Sequence, residues 1–212
     1  MKWRTWLVGL IAIVAVSATA IHLPAEQAQP AADFTVDGVH SMVIFGIRHK
    51  GVSNTYGRFN DISGSVSWSN EKPENGSITL TIKAGSVDTN SRKRDQHLAS
   101  RDFLFATKFP DIKFVSRSIR RGIIPKKDVV TSVADTILPD EFTVIGDLTL
   151  HGVTKSVSIE LRKIGEATMR GTHLIGLEGR VTIKRSDFDM KHAPGSVGDE
   201  VNLIVSLEAI QN

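Results

Sequence analysis

The stretch from Phe34 to Trp68, FTVDGVHSMVIFGIRHKGVSNTYGRFNDISGSVSW, limits the fold more than any other part of the chain. It reads as two long β segments joined through a Gly/Ser/Asn-rich turn. Strand side chains alternate with period two, so Ser41, Val43, Phe45, Ile47 and His49 share one face of the first segment. Ile62, Gly64, Val66 and Trp68 share one face of the second, with Ser63, Ser65 and Ser67 opposite. An apolar face backed by a polar one marks an antiparallel sheet that is covered on one side and wet on the other.

The same rhythm returns down the chain. Ser77 to Ala84 alternates most cleanly, with Ile78, Leu80 and Ile82 in phase. Lys113 to Ser118 is weaker. Phe142 to Leu150 is followed by His151-Gly152, a two-residue hairpin turn in which Gly tolerates the positive φ that such turns require. The return strand carries Val157, Ile159 and Leu161. Leu174 to Lys184 and Val201 to Ala209 complete about eight strand-like segments. One segment departs from the pattern. Ser91 to Ser100 is polar and poor in β-branched residues, and it follows Asp88, Thr89 and Asn90, all good N-caps, so it reads as a short helix. Arg185 to Gly198 and Arg120 to Asp140 read as loops.

Eight antiparallel segments in one domain imply an all-β, eight-stranded antiparallel barrel with one short helix between strands, because closure removes exposed strand edges. Such a barrel can be filled by side chains or can hold one small ligand. The strand glycines Gly46, Gly64, Gly146 and Gly179 fit both cases, since small residues leave room and strand glycines also mark bends.

Composition narrows the function. Met1 to Ala20 has the layout of a signal peptide: Lys2 and Arg4, an apolar run from Leu7 to Val16, then Ala18-Thr19-Ala20. The run is short for a bilayer span, which needs about 20 residues. Residues 21–32 read as a flexible linker and 33–212 as the folded domain, in a periplasmic or secreted protein. Without Lys2 and Arg4 the 26 basic residues fall to 24 against 23 acidic, too even for a nucleic-acid-binding chain. The absence of cysteine excludes disulfides, thiolate metal ligands and a thiol nucleophile.

DGVHSMVIFGIRHKGVSNTYGRFNDISG, RDQHLASRDFLFATKFPDIKFVS, FTVIGDLTLHGVTKSV and VGDEVNLIVSLEA occur in an order and spacing that resemble the YceI-like family of exported, lipocalin-like barrels. The resemblance covers roughly Asp33 to Ile210. It implies an apolar interior holding an isoprenoid lipid, a quinone tail or a polyprenyl chain, in a protein that is not an enzyme and needs no cofactor. On the same resemblance the ligand-lining face comprises Val43, Phe45, Ile47, Ile78, Leu80, Ile82, Val144, Leu148, Ile175, Leu177, Val181, Val201 and Leu203. The chain departs from the family pattern at Asp189, where Gly is usual, at Ser156, where Pro is frequent, and in a longer 120–140 connection.

Polar candidates are few. Arg94, Asp95 and His97 are placed at the barrel mouth, with Asp102 nearby, and would be the groups to test if the barrel were an enzyme acting on its lipid. A ligand-free, partner-binding barrel is the third reading. Metal binding is not expected: His40 and His49 would point to opposite faces of an unbroken strand, and His151 sits in a turn. Ser41 beside His40 lacks any oxyanion motif such as G-x-S-x-G, so no catalytic residue is assigned. The basic clusters Arg92, Lys93, Arg94, Arg101 and Arg117, Arg120, Arg121, Lys126, Lys127 suit a solvated surface or weak contact with an anionic membrane.

Overall fold

The structure is a computed structural model that describes residues 31–122 and 140–212. The leader at 1–20, nearly all of the linker, and most of the 120–140 connection, with Lys126 and Lys127, lie outside the described residues. The strands are β1 Ala32–Val36, β2 Met42–His49, β3 Ser53–Phe59, β4 Ile62–Trp68, β5 Ser77–Lys83, β6 Val87–Asp88, β7 Asp111–Arg121, β8 Glu141–Leu150, β9 Val153–Met169, β10 Thr172–Lys184 and β11 Val197–Gln211. Among the described residues one α-helix, α1, spans Arg92–Ala99. The first strand thus opens at Ala32, the last residue of the expected linker.

All pairings are antiparallel, and the order β1-β4-β5-β7-β8-β9-β10-β11 returns to β1, so the sheet closes. The remaining three strands extend three of these eight. β2 continues β1 along β11, β3 runs into β4, and β6 continues β5. The barrel is therefore eight-stranded, with three strands bent in the middle.

Each bend breaks a ladder, and side chains repair it. Between β1 and β2, the Ser41 hydroxyl donates to Glu208 O at 3.2 Å and accepts from Glu208 N at 3.0 Å, standing in for backbone partners. Ser41 is buried, so the serine considered as a nucleophile is a strand-mending residue instead. At the adjoining bends, Asn60 N donates to Ser86 O and Asp61 N to Ser86 Oγ. The short β6 pairs with β3 alone. From there α1 and the turns that follow it carry the chain over to β7.

Two local expectations change. The residues expected to cap α1 precede its true N-cap, Ser91, whose side chain makes no capping hydrogen bond. Thr89 bonds Asp95 instead, its amide donating at 2.9 Å and its hydroxyl at 2.5 Å. β9 also runs on to Met169, well past Leu161, with both faces largely exposed. Where neither face is buried, no apolar alternation exists to announce a strand. His151 (φ 53°) and Gly152 (φ 77°) do form the two-residue hairpin turn between β8 and β9.

The two halves of the barrel are filled differently. In the half bounded by β1, β4 and the outer ends of β8 to β10, Phe34, Val66, Ile119, Val144, Ile175 and Leu177 pack to 3% exposure or less. Trp68 meets Phe142 edge-on at 4.9 Å there, and its indole N–H donates to Asn70 Oδ1. This half is a solid plug.

The β1–β2 bend carries a pH-sensitive contact. His40 Nδ1 lies 2.8 Å from Asp37 Oδ2 and 3.7 Å from Glu208. The hydrogen bond with Asp37 raises the His40 pKa above its ordinary 6.5, and the same bond lowers that of Asp37 below 3.8. The stabilisation from His40 is present below pH 6.5 and is lost as pH rises through its raised value. That from Asp37 is present above pH 3.8 and is lost as pH falls through its lowered value. Urea unfolding should show the largest deficit for His40→Asn between about pH 4 and 6.5. The deficit should shrink at higher pH, and a deficit independent of pH would contradict this account.

Candidate functional site

The other half of the barrel is hollow. A cavity of about 370 Å³ runs inward from the end covered by α1 and the β10–β11 connection, a size in the range of small-molecule sites. Its walls come from the inward positions of β2, β5, β8, β10 and β11, each facing in because of the period-two alternation.

Of the residues expected to line a ligand, Val43, Phe45, Ile47, Leu80, Ile82, Leu148, Val181, Val201 and Leu203 are on the cavity wall. Ile78, Val144, Ile175 and Leu177 are not. They face the same interior but lie in the plug, at 1–3% exposure. Alternation assigns a face and carries no information about depth along the barrel. Sequence reasoning missed the lid: Leu98 on α1, Phe103 and Leu104 after it, and Met190 and Ala193 on the connection. The signal available for these was the apolar residues set within otherwise polar loops.

The strand glycines do not supply the empty space. A side chain at Gly146 would meet the Phe114 ring and Val115 O at 2.5 Å, and one at Gly64 would collide with Thr79 O. Both positions serve close approach of neighbouring groups.

The titratable groups on the cavity wall are Arg48, His49, Arg94, His97 and Arg185, all basic. Two are committed elsewhere. Arg94 donates from Nε to Thr89 Oγ1 at 2.7 Å and from Nη2 to Thr89 O at 2.6 Å. Arg185, 5% exposed, donates to the carbonyls of Gly198 at 2.8 Å, Met190 at 2.5 Å and Val197 at 3.1 Å. One guanidinium thereby fixes both ends of the β10–β11 connection, which the sequence suggested was only a loop. Asp199 accepts from the Ser186 amide and hydroxyl, and these bonds, with Arg185 nearby, hold its carboxyl below the ordinary range. His151 helps from outside the strand ladder. Its ring packs on Phe109 at 4.9 Å, and Nδ1 lies 3.0 Å from Phe188 O, which can only accept. The expectation of a merely polar turn residue is corrected: it pins the short 3-10 turn Arg185–Phe188.

Asp95 is not on the cavity wall. It faces the shallow outer depression beside β6, where its carboxylate holds Thr89. His97 is on the wall, with Nε2 2.9 Å from Asp102 Oδ2. The three polar residues assigned to the mouth thus divide between two surfaces, which separates Asp95 from any chemistry inside.

A YceI-like domain model matches residues 34–209, essentially the whole barrel. The chain belongs to the YceI-like family. Protein YceI of Shigella flexneri is 40% identical over 184 residues, covering 85% of this chain and 88% of that protein. Among solved structures, Burkholderia cenocepacia BcnA superposes with a TM-score of 0.67 at 24% identity, over 82% of this chain and 98% of that one. A polyisoprenoid binding domain from Saccharophagus degradans superposes with a TM-score of 0.59 at 18% identity, over 84% and 98%. At these identities the two superpositions establish the shared barrel. Within this YceI-like chain, Asp189 occupies a left-handed position (φ 58°) that ends the 3-10 turn. Gly fits such a position without strain, and Asp is among the few other residues that tolerate it.

Replacing Arg185 by Met keeps the apolar stem and removes the guanidinium from which three carbonyls accept. Stability should fall by roughly 3 kcal/mol, read as a lower urea midpoint. Arg185→Lys should recover only part of it, because an ammonium lacks the planar fork. Full recovery with Lys would show that charge alone matters.

Proposed function

We propose that this chain is an exported lipid-binding protein that sequesters or carries an isoprenoid lipid, a quinone or polyprenyl chain, without transforming it. The observation that carries the reading is the half-hollow barrel: an almost wholly apolar cavity, closed below by a packed plug and rimmed at its mouth by basic groups. Burial of apolar surface is worth about 25 cal/mol per Å², so an isoprenoid tail needs no polar anchor to be held. The description of the Saccharophagus degradans domain as polyisoprenoid-binding supports the ligand class. The leader-like segment Met1 to Ala20 supports export. Arg92, Lys93 and Arg101, exposed on and just after the helix that covers the cavity, suit weak docking to an anionic membrane from which a lipid is collected.

The test is organic extraction of the protein purified from a bacterial envelope, followed by mass spectrometry. A stoichiometric prenyl lipid of unaltered mass is expected. Leu148→Trp, which projects a larger ring into the cavity, should lower retained lipid at least about ten-fold while the protein stays folded, since overpacking typically costs about 1–3 kcal/mol. Absence of lipid, together with no uptake of added quinone or polyprenyl phosphate, would make the cavity a packing defect. Conversion of the lipid on incubation, lost in His97→Asn, would turn the carrier into an enzyme.

A further inference from the structure

At the mouth, side chains from two separate walls meet. His97 belongs to α1, Asp102 follows the helix, and His192 comes from the β10–β11 connection across the opening. His97 Nε2 is 2.9 Å from Asp102 Oδ2, and His192 Nε2 is 3.9 Å from the same oxygen. All three donor atoms lie within 4.8 Å of one another.

We propose that His97, Asp102 and His192 form a binding site for a divalent first-row transition ion of the zinc type, which staples the two walls of the cavity mouth together. Tetrahedral zinc with bonds of about 2.0–2.2 Å keeps neighbouring donors roughly 3.4 Å apart. Reaching that spacing requires the 2.9 Å contact to open and the 3.9 Å contact to close, each by about half an ångström, and the two imidazole donors, within 4.8 Å of each other, to settle at the same separation. Such movements are within reach of exposed side chains.

The donor set selects the ion. Two imidazoles and one carboxylate suit zinc, cobalt, nickel or copper, whereas calcium and magnesium favour all-oxygen sites. A hydrogen-bonded pair would account for His97 and Asp102 but not for the second imidazole turned toward the same carboxylate. The two rings are also oriented in advance. Phe103, buried beneath them, meets His97 edge-on at 5.1 Å and His192 at 5.1 Å, and the imidazoles lie 5.5 Å apart. Rings that rest against a common aromatic neighbour lose less freedom when an ion binds than rings free in solvent. The other polar trio, Asp37, His40 and Glu208, lacks these features: it offers one imidazole and two carboxylates.

Three protein donors leave a position open for water or for an oxygen of a head group at the mouth. Leu98 and Phe103 line the cavity on the helix side, and Met190 and Ala193 line it on the other. An ion between His97 and His192 therefore cross-links the two parts of the lid, whether or not the cavity holds a lipid.

The purified chain, stripped with chelator, is titrated with zinc chloride by calorimetry and with cobalt chloride by visible absorption. One equivalent should bind, with cobalt bands typical of low coordination number, and calcium chloride should not compete. His192→Asn and Asp102→Asn should each weaken zinc binding at least ten-fold, while His40→Asn leaves it unchanged. Backbone exchange in residues 189–196 should slow on zinc addition in the unaltered protein and not in His192→Asn. Circular dichroism establishes that the variants stay folded; if one does not, the exchange measurement on the unaltered protein decides. No binding, binding indifferent to His192→Asn, or binding lost in His40→Asn would overturn the proposal.

Discussion

Closure of the sheet governs everything else in this molecule. A strand edge left open exposes a row of unpaired amides and carbonyls, and the β1–β11 pairing removes that edge on one side of the barrel. Closure is not uniform along the axis. At the plug end β1 bridges β11 and β4. At the mouth end the ring is carried by β2, β3 and β6, and among the described residues no strand pairs with the far edge of β6. The bends that allow this divergence are held by Ser41 and Ser86, small hydroxyl residues able to donate and accept where the ladder is interrupted.

The divergence creates the cavity. Where the strands stay together, aromatic and branched side chains meet across the axis and exclude space, as Trp68 and Phe142 do. Where β6 leaves the ring, the walls separate and α1 with its following turns spans the gap. The hollow therefore follows from the path of the backbone more than from small residues inside it. The glycines at 64 and 146 bring neighbouring groups into contact and do not widen the interior.

The lid is polar in sequence but ordered by a few buried groups. Arg185 ties the Met190 carbonyl of the β10–β11 connection to the Val197 and Gly198 carbonyls at the start of β11, and His151 anchors the turn that Arg185 begins. The connection in turn presents Met190 and Ala193 to the cavity and His192 to α1. A hydrogen-bonded mouth over an apolar interior suits the lipid-carrying role proposed above, since an apolar tail gains from burial while a polar head remains near water.

The alternation of apolar and polar residues, with turn and cap residues, was enough to establish an all-β chain, the hairpin at His151-Gly152, the helix after Asn90 and the inward face of the strands that alternate, β2, β4, β5, β8, β10 and β11 among them. These are local properties, written in a period of two residues and in turn chemistry. Depth along the barrel was not legible: Leu80 and Ile78 belong to the same alternating run, yet one lines the cavity and the other fills the plug. Nor were the long-range partners legible, whether Arg185 with Gly198, Ser41 with Glu208, or His192 with His97 and Asp102. Sequence by itself determined which side of each alternating strand is buried, because that depends on near neighbours in the chain. Only the tertiary structure decided where the interior is empty and which polar groups converge at its mouth, because those depend on how strands far apart in sequence are brought together when the sheet closes.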